Sequence, residues 1–467
     1  MIFSSNTFLY LFLPISLGLY FFTYFVFPNK VKILNILLIC MSLFFYLWGN
    51  GEYIFVFMIS IICNYVLGKT IPSVQKGKIL LALGIGINIG ILFYFKYAYF
   101  FYRQLNAFLP SHFQLKIPIE SNMFLPIGIS FYTFMSISYL FDIYRKKMKQ
   151  VALIHFVTYL TFFPHLVAGP IVRYDEIGKE IHKRKINWDM YFEGFVRFSF
   201  GLGKKVIIAN NLAFVVDKIF SLPPSELSFL LAWIGAFSYA FQIYFDFSGY
   251  TDIAIGLAQF FGFHFPENFN MPYLSISIGA FWRRWHMSLS RWLKDYIYIP
   301  LGGSRKGIVR TIINTFIVFF LCGLWHGAAW TFILWGIYHG TLLVIERTVK
   351  NTFHFVPKSK LWVIPTFLLI VIGWVLFRAP TISYALRYIK TLFDFHEIGY
   401  ISRFYKLTYY LPNNVIFSGL CALVLSFIQL PRSKNIFVLG TFALIVLVYS
   451  LSIVANTSFS PFIYFQF

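Results

Sequence analysis

The sequence predicts an all-α polytopic membrane protein, and three observations carry that prediction. Hydrophobic residues fill 59% of the 467 positions and charged residues only 12%, where soluble domains carry about a quarter charged. The 60 Phe, 31 Tyr and 11 Trp exceed what a soluble fold of this length could cover. Charge-free apolar windows close to a bilayer span, about 20 residues, recur along the whole chain. Disorder, collagen, coiled coil and a disulfide-stapled scaffold are excluded by the same arithmetic. Cys40, Cys63, Cys322 and Cys421 lie far apart in apolar runs and form no CxxC pair, so they read as small core hydrophobes.

The first span is read from Met1 to Phe27. No charge precedes Lys30, and the segment has neither the basic n-region nor the small-residue cleavage site of a secretory signal, so it is expected to be retained. Charge-free windows follow at 33–51, 53–68, 79–95, 123–141, 150–172, 227–245, 311–345, 361–377, 407–431 and 435–467. The stretches 191–220 and 253–280 are apolar but interrupted by Lys, Arg, Gly or Pro, and are expected to be tilted, re-entrant or interfacial. The expected total is about 11 transmembrane helices plus a few partial ones. With no repeat and no low-complexity linker, residues 1–467 read as a single membrane domain.

Lys and Arg number 39 against 17 Asp and Glu, a net charge of +22. The cations gather at the ends of apolar runs, at Lys30 and Lys32, at Lys69, Lys76 and Lys78, and over Arg145–Lys149. This is the positive-inside pattern, with membrane lipids as the counter-charge and no role for nucleic acid. It places the amino terminus outside and the 28–32, 69–78 and 145–149 loops in the cytoplasm of a cytoplasmic-membrane protein. The 150–172 window should then lead outward, yet 173–205 is again basic. Either that window is re-entrant or the basic stretch is extracellular, and the first is favoured. Irregular backbone at membrane depth requires cover by protein or a water-filled cavity, so a re-entrant element points to a cavity.

Polar residues inside apolar runs are functional candidates, and three clusters qualify. In YFDFSGYTDIAIG (244–256), Asp246 and Asp252 stand six positions apart, about 240° around a continuous helix, so one face would not carry both unless Gly249 breaks the helix. They either cap helix ends and pair with nearby arginines, or contact substrate. In FWRRWHMSLSRWLKDY (281–296), Trp and Arg alternate as at a membrane interface. That pattern explains Arg283 and Arg284 but leaves His286 without a purpose. The following Gly302-Gly303-Ser304 turn beside Arg305 and Lys306 is either a plain cytoplasmic turn or a backbone phosphate site.

The third cluster lies in 311–345, a run without Asp, Glu, Lys or Arg. One helix of that length would measure about 50 Å against a hydrocarbon core of about 30 Å. The run is therefore bent, or folded back near Gly327. His326, between Trp325 and Gly327, must hydrogen-bond, bind metal or line a wet cavity, and a histidine there has the intrinsic pKa of a general base. Metal binding is disfavoured, since none of the 10 histidines forms HxxH, HExxH or a Cys/His group. His326 and His339 are a helix length apart. No GxSxG elbow or P-loop is present.

These residues carry a resemblance. The chain resembles the membrane-bound O-acyltransferase superfamily, most closely the bacterial branch with alginate and peptidoglycan O-acetyltransferases. The matching blocks are MIFSSNTFLYLFLP, LPIGISFYTFMSISYLFDIYR, FFPHLVAGPIVR, YFDFSGYTDIAIG, FWRRWHMSLSRWLKDYIYIPLGG, LWHGAAWTFILWGIYHG, WVLFRA and PFIYFQF. Position 165 is His where this branch leads one to expect Gln, which puts a catalytic role for His165 in doubt. The resemblance implies re-entrant and tilted helices around a funnel or tunnel. It implies that His326 is the family's defining histidine and His286 its second position. Arg283, Arg284, Asp246, Asp252 and Trp325 are the candidates for contact with substrate or donor.

The implied reaction moves an acyl group, expected to be acetyl, from a cytoplasmic acyl thioester such as acetyl-CoA, with no permanently bound cofactor and no metal. In it His326 takes the proton of the attacking hydroxyl, while His286 shares that proton or donates to the oxyanion. The acceptor would be a cell-wall or exopolysaccharide glycan, reached through a periplasmic or extracellular acetyltransferase partner. The largest candidate loop, 379–406, is too small to bind a polymer. Two rivals are a D-alanyl transfer protein of the teichoic-acid pathway and a transporter that moves an acyl group or glycan without making an ester. The absence of inverted repeats speaks against the transporter.

Overall fold

The computed structural model describes residues 2–73, 76–114, 125–185, 187–395, 406–428 and 435–456, and among these there is no β-strand. The PFIYFQF terminus and residues 396–405 of the 379–406 loop lie outside the described residues. The chain divides into two compact units. One is Met1–Phe198 with Ala254–Pro266, and the other is Ser199–Ile253 with Glu267–Phe467.

In the first unit a π-helical turn, Thr7–Phe12, runs into α1 (Leu13–Val26), followed by α2 (Val31–Asn50) and α3 (Ile54–Thr70). Gly51, at φ +48°, makes the corner between α2 and α3, a left-handed conformation that costs other residues more. Next come α4 (Gly77–Lys96), α5 (Ala98–Phe108) and α6 (Ile129–Tyr144). Asn64 of α3 and Asn88 of α4 exchange amide hydrogen bonds at 3.1 and 2.7 Å. A reciprocal amide pair in apolar surroundings fixes the register of two membrane helices and contributes about 1 kcal/mol.

The 150–172 window forms α7 (Leu153–Thr161), α8 (Phe163–Leu166) and extended chain up to α9 (Tyr174–His182). Nine helical residues reach about 14 Å, half a bilayer core or less, which suits a re-entrant element and not a crossing. Here His165 is buried, with Nε2 2.7 Å from the Tyr159 carbonyl. That bond to its own short helix pair is a structural tie. Arg184, also buried, donates to Asn35 Oδ1 at 2.6 Å and lies over the Phe263 ring.

Helix α10 (Trp188–Gly203) begins in the first unit and ends in the second, where a π-helical turn joins it to α11 (Asn210–Phe220). The 191–220 stretch is thus an apolar helical run from Trp188 to Phe220, 33 residues long, where the sequence suggested a broken element. Lys204 and Lys205 do not interrupt it because each pairs with a carboxylate, described below. Helix α12 (Phe229–Phe260) is followed by the short α13 (Ile278–Trp282) and α14 (Met287–Leu293), then α15 (Gly307–His326) and α16 (Trp330–Phe353). The chain continues with α17 (Val363–Arg378), α18 (Ile382–Thr391), α19 (Leu407–Tyr410), α20 (Asn413–Phe427) and α21 (Ile436–Asn456).

Among the described residues seven helical runs are long and apolar enough to cross a membrane, and one of them, Val31–Thr70, contains both α2 and α3. Helix α21 leaves Phe437, Phe442, Leu444, Ile445 and Val448 exposed. Such a surface is stable only against lipid. The protein is a multi-pass membrane protein.

Candidate active site

The site lies wholly in the second unit, and small residues bring it together. Gly323 of α15 and Gly336 of α16 face each other. A Cβ on Gly323 would strike the Phe332 carbonyl, and one on Gly336 the Phe319 carbonyl. Only glycine lets these two backbones touch. The charge-free 311–345 run therefore folds back through Gly327-Ala328-Ala329, and α15 ends on His326. The doubled-back reading of that run holds.

His326 is 5% exposed and sits in an aromatic box. Its ring centroid is 4.8 Å from Trp325, 5.1 Å from Trp335 and 5.0 Å from Phe377 of α17, each contact edge-on. Trp325 also reaches His286, at 6.0 Å. The two histidines picked out in the sequence, 40 residues apart, are thus gathered at one indole.

His286 is fully buried and stands at the corner between α13 and α14, with φ +43° and ψ +55°. A left-handed conformation costs a residue with a Cβ about 1–2 kcal/mol. Asn268 holds the corner in place. Its backbone carbonyl accepts from Met287 N–H at 2.9 Å. Its side-chain Oδ1 accepts from the Ser288 N–H at 3.1 Å, the Ser288 hydroxyl at 2.9 Å and His286 Nδ1 at 3.1 Å. A backbone N–H can only donate, so this atom is the amide oxygen, and His286 Nδ1 must carry the hydrogen. The other ring nitrogen, Nε2, has no hydrogen-bond partner among the described residues. In neutral His286 it offers a lone pair.

Behind the corner, Trp285 packs against Trp374 at 4.8 Å and Phe269 at 5.0 Å. The Trp374 N–H donates to the Tyr273 hydroxyl at 3.1 Å, which donates to the Ala240 carbonyl at 2.6 Å. Arg283 is exposed and Arg284 half-buried on the same turn, and neither has a ring or hydrogen-bond contact with the histidines.

Asp246 and Asp252 lie elsewhere on α12. The helix runs unbroken through Gly249, so the two carboxylates diverge, as continuous-helix geometry requires. Gly249 serves close packing: a Cβ there would meet the Gly201 carbonyl at 2.8 Å. That approach brings Lys205 Nζ to Asp246 and Lys204 Nζ to Asp252, both at 2.6 Å. The expected cationic partners are present, as lysines in place of arginines.

Two residues were undervalued in the sequence. Asn268 carried no signal beyond an amide in an aromatic loop. His339 was weighed only as a metal partner of His326. It is fully buried beside Trp335 and Trp282, each at 5.1 Å, and neither ring nitrogen has a hydrogen-bond partner among the described residues. No group of three or more His, Cys, Asp or Glu with metal-binding geometry occurs among the described residues.

Comparison with known proteins places residues 88–385 under the model of the MBOAT, membrane-bound O-acyltransferase, family. The chain is 41% identical to the protein named "Probable alginate O-acetylase AlgI" of Pseudomonas putida, over the full length of both. It is 37% identical to the "Peptidoglycan O-acetyltransferase" of Helicobacter pylori, covering 85% of this chain and 81% of that one. Similarity to the "Teichoic acid D-alanyltransferase" of Bacillus subtilis is 33%, over 50% of this chain and 61% of the other.

Proposed function

Because the chain belongs to the membrane-bound O-acyltransferase family and is a membrane O-acyltransferase, we propose that it carries acetyl groups to hydroxyls of a cell-wall or exopolysaccharide glycan. The observation that carries the reading is the pair of buried histidines gathered at Trp325. Residues 1–467 act in this reading as one membrane domain in the cytoplasmic membrane.

In this reading the donor is an acyl thioester such as acetyl-CoA, arriving from the cytoplasm, where Arg283 and Arg284 attract its phosphates. An acceptor hydroxyl attacks the thioester carbonyl, and His326 takes the hydroxyl proton as the carbon–oxygen bond forms. The carbon–sulfur bond then breaks, the thiolate recovers a proton, and an ester and a free thiol leave. The tautomer of His286 argues against oxyanion donation from the neutral ring and for sharing the proton at Nε2. Trp325 walls the site and keeps bulk water from the thioester. A periplasmic or extracellular partner passes the acetyl group to the polymer. Asp246 and Asp252, each engaged by a lysine, shape the helix packing around the site.

The test uses a strain lacking the gene. Restoring the wild-type chain should restore ester-linked acetate on wall or secreted glycan, detected by mass spectrometry after mild base. Ester-linked D-alanine in its place would establish the teichoic-acid reading. Glycan export without any new ester would establish the transporter.

A further inference from the structure

At one end of α15 and α16, a cavity of about 410 Å³ opens between these helices and the α13 turn. Arg283, Arg347 and Lys350 line it, and no carboxylate pairs with any of them among the described residues. Glu346 also faces the cavity, but its oxygens are held by the Gly279 N–H at 2.9 Å and the Ser277 hydroxyl at 3.0 Å. The Thr311 and Thr315 hydroxyls donate back to carbonyls of their own helix turn, at 2.9 and 2.8 Å. The deeper wall, with Val318, Phe319 and Leu343, is apolar.

Three cations converging on one space repel one another and raise the local concentration of anions. Two of them are guanidinium forks, whose geometry matches phosphate oxygens. The cavity opens at the end of the hairpin where α15 begins, just after Arg305 and Lys306 and at the turn that holds Arg310, a basic end of the kind that the Lys/Arg bias places in the cytoplasm. Basic pockets between helices on that side suit phospholipid head groups. The apolar depth adds a place for a chain, which a free phosphate would leave uncovered.

We propose that this cavity binds a phosphate ester borne on an apolar tail, an anionic phospholipid of the cytoplasmic leaflet, with its phosphate among Arg283, Arg347 and Lys350. The site shares Arg283 with the turn proposed to attract the donor, but it does not depend on the roles given to the two histidines. Acetyl-CoA carries the same phosphate chemistry without the long chain, and the experiment separates the two sources.

The full-length protein, purified in detergent, is titrated with phosphatidylglycerol or phosphatidylcholine of matched chains, and bound lipid is counted by native mass spectrometry. Phosphatidylglycerol should be retained and phosphatidylcholine should not. Each charge removed should weaken retention about fivefold, so Arg347→Gln with Lys350→Gln should lose about 25-fold. Arg283 is left unchanged, so a failure of donor attraction stays distinct from a failure here. The charge-keeping pair Arg347→Lys with Lys350→Arg should stay near wild type, and so should the outlying pair Lys358→Gln with Lys360→Gln. Displacement of phosphatidylglycerol by acetyl-CoA would overturn the phospholipid assignment and give the phosphate site to the donor. Equal retention of both lipids, retention of neither, or undiminished binding by the neutralised pair would overturn the proposal.

Discussion

Asn268 Oδ1 accepts three donors at once, and one of them sets the protonation pattern of His286. Asn268→Leu removes the acceptor and frees the ring to flip or change tautomer. Losing one such orienting bond in a reaction centre costs about 10–100-fold in activity. Acetylation by Asn268→Leu should fall by that much. Asn268→Asp, which keeps an acceptor for all three donors, should recover most of it, and equal loss in both variants would mean that Asn268 only supports the fold. The lone pair at Nε2 leads to a second expectation. If His286 takes a share of the proton, His286→Asn should be as inactive as His286→Ala. An Asn variant with a tenth of wild-type turnover would restore hydrogen-bond donation as the role of this position. His326 and His286 were both legible in the sequence, through resemblance more than spacing. Asn268 was not, because a loop that closes over 18 residues leaves no periodic trace.

At the scale of helices, the second unit is organised by close backbone approach and by charge. Lys205 and Asp246 are 3% and 2% exposed and form an ion pair. Breaking a buried pair by removing one partner leaves an uncompensated charge and costs about 3–5 kcal/mol. Lys205→Met should therefore lower the folded yield sharply. Lys205→Met combined with Asp246→Leu should restore it, which size-exclusion profiles and thermal unfolding in detergent would show. A double variant no better than the single one would indicate that Asp246 does more than balance Lys205. Gly336→Val should also be harmful, though less so, since it forces α15 and α16 apart at the Phe319 carbonyl, and overpacking costs about 1–3 kcal/mol. The turn at Gly327 was readable because a charge-free run exceeded the membrane. The continuity of α12 through Gly249 was not, because glycine marks a break and a close contact alike, and only the neighbouring Gly201 decides between them.

Across the whole molecule, composition was enough to establish the membrane class, whereas the span count depends on how apolar helices that carry charged residues, such as α12 and α16, are treated. Apolar windows suggested about 11 spans, and seven helical runs among the described residues meet the length and composition of a crossing on their own. The remaining windows hold short helices or helices that carry charged residues, whose place in a membrane is settled by neighbours and not by their own hydropathy. The sidedness expected from the Lys/Arg bias is directly testable. A cysteine at Glu52 should react with an impermeant thiol reagent added outside intact cells, one at Lys76 should not, and the reverse pattern would invert the topology. The central claim is that His326 is the base of an O-acetyl transfer, and His326→Gln tests it most directly, since glutamine can hydrogen-bond but cannot take a proton at neutral pH. The variant is expressed at wild-type level in a strain lacking the gene, and ester-linked acetate on its glycan is measured. General-base catalysis contributes roughly 10²–10⁴-fold, so acetylation should fall to about a hundredth or less with membrane insertion intact. Retention of more than about a tenth of wild-type acetylation would contradict the account and leave His326 a structural residue.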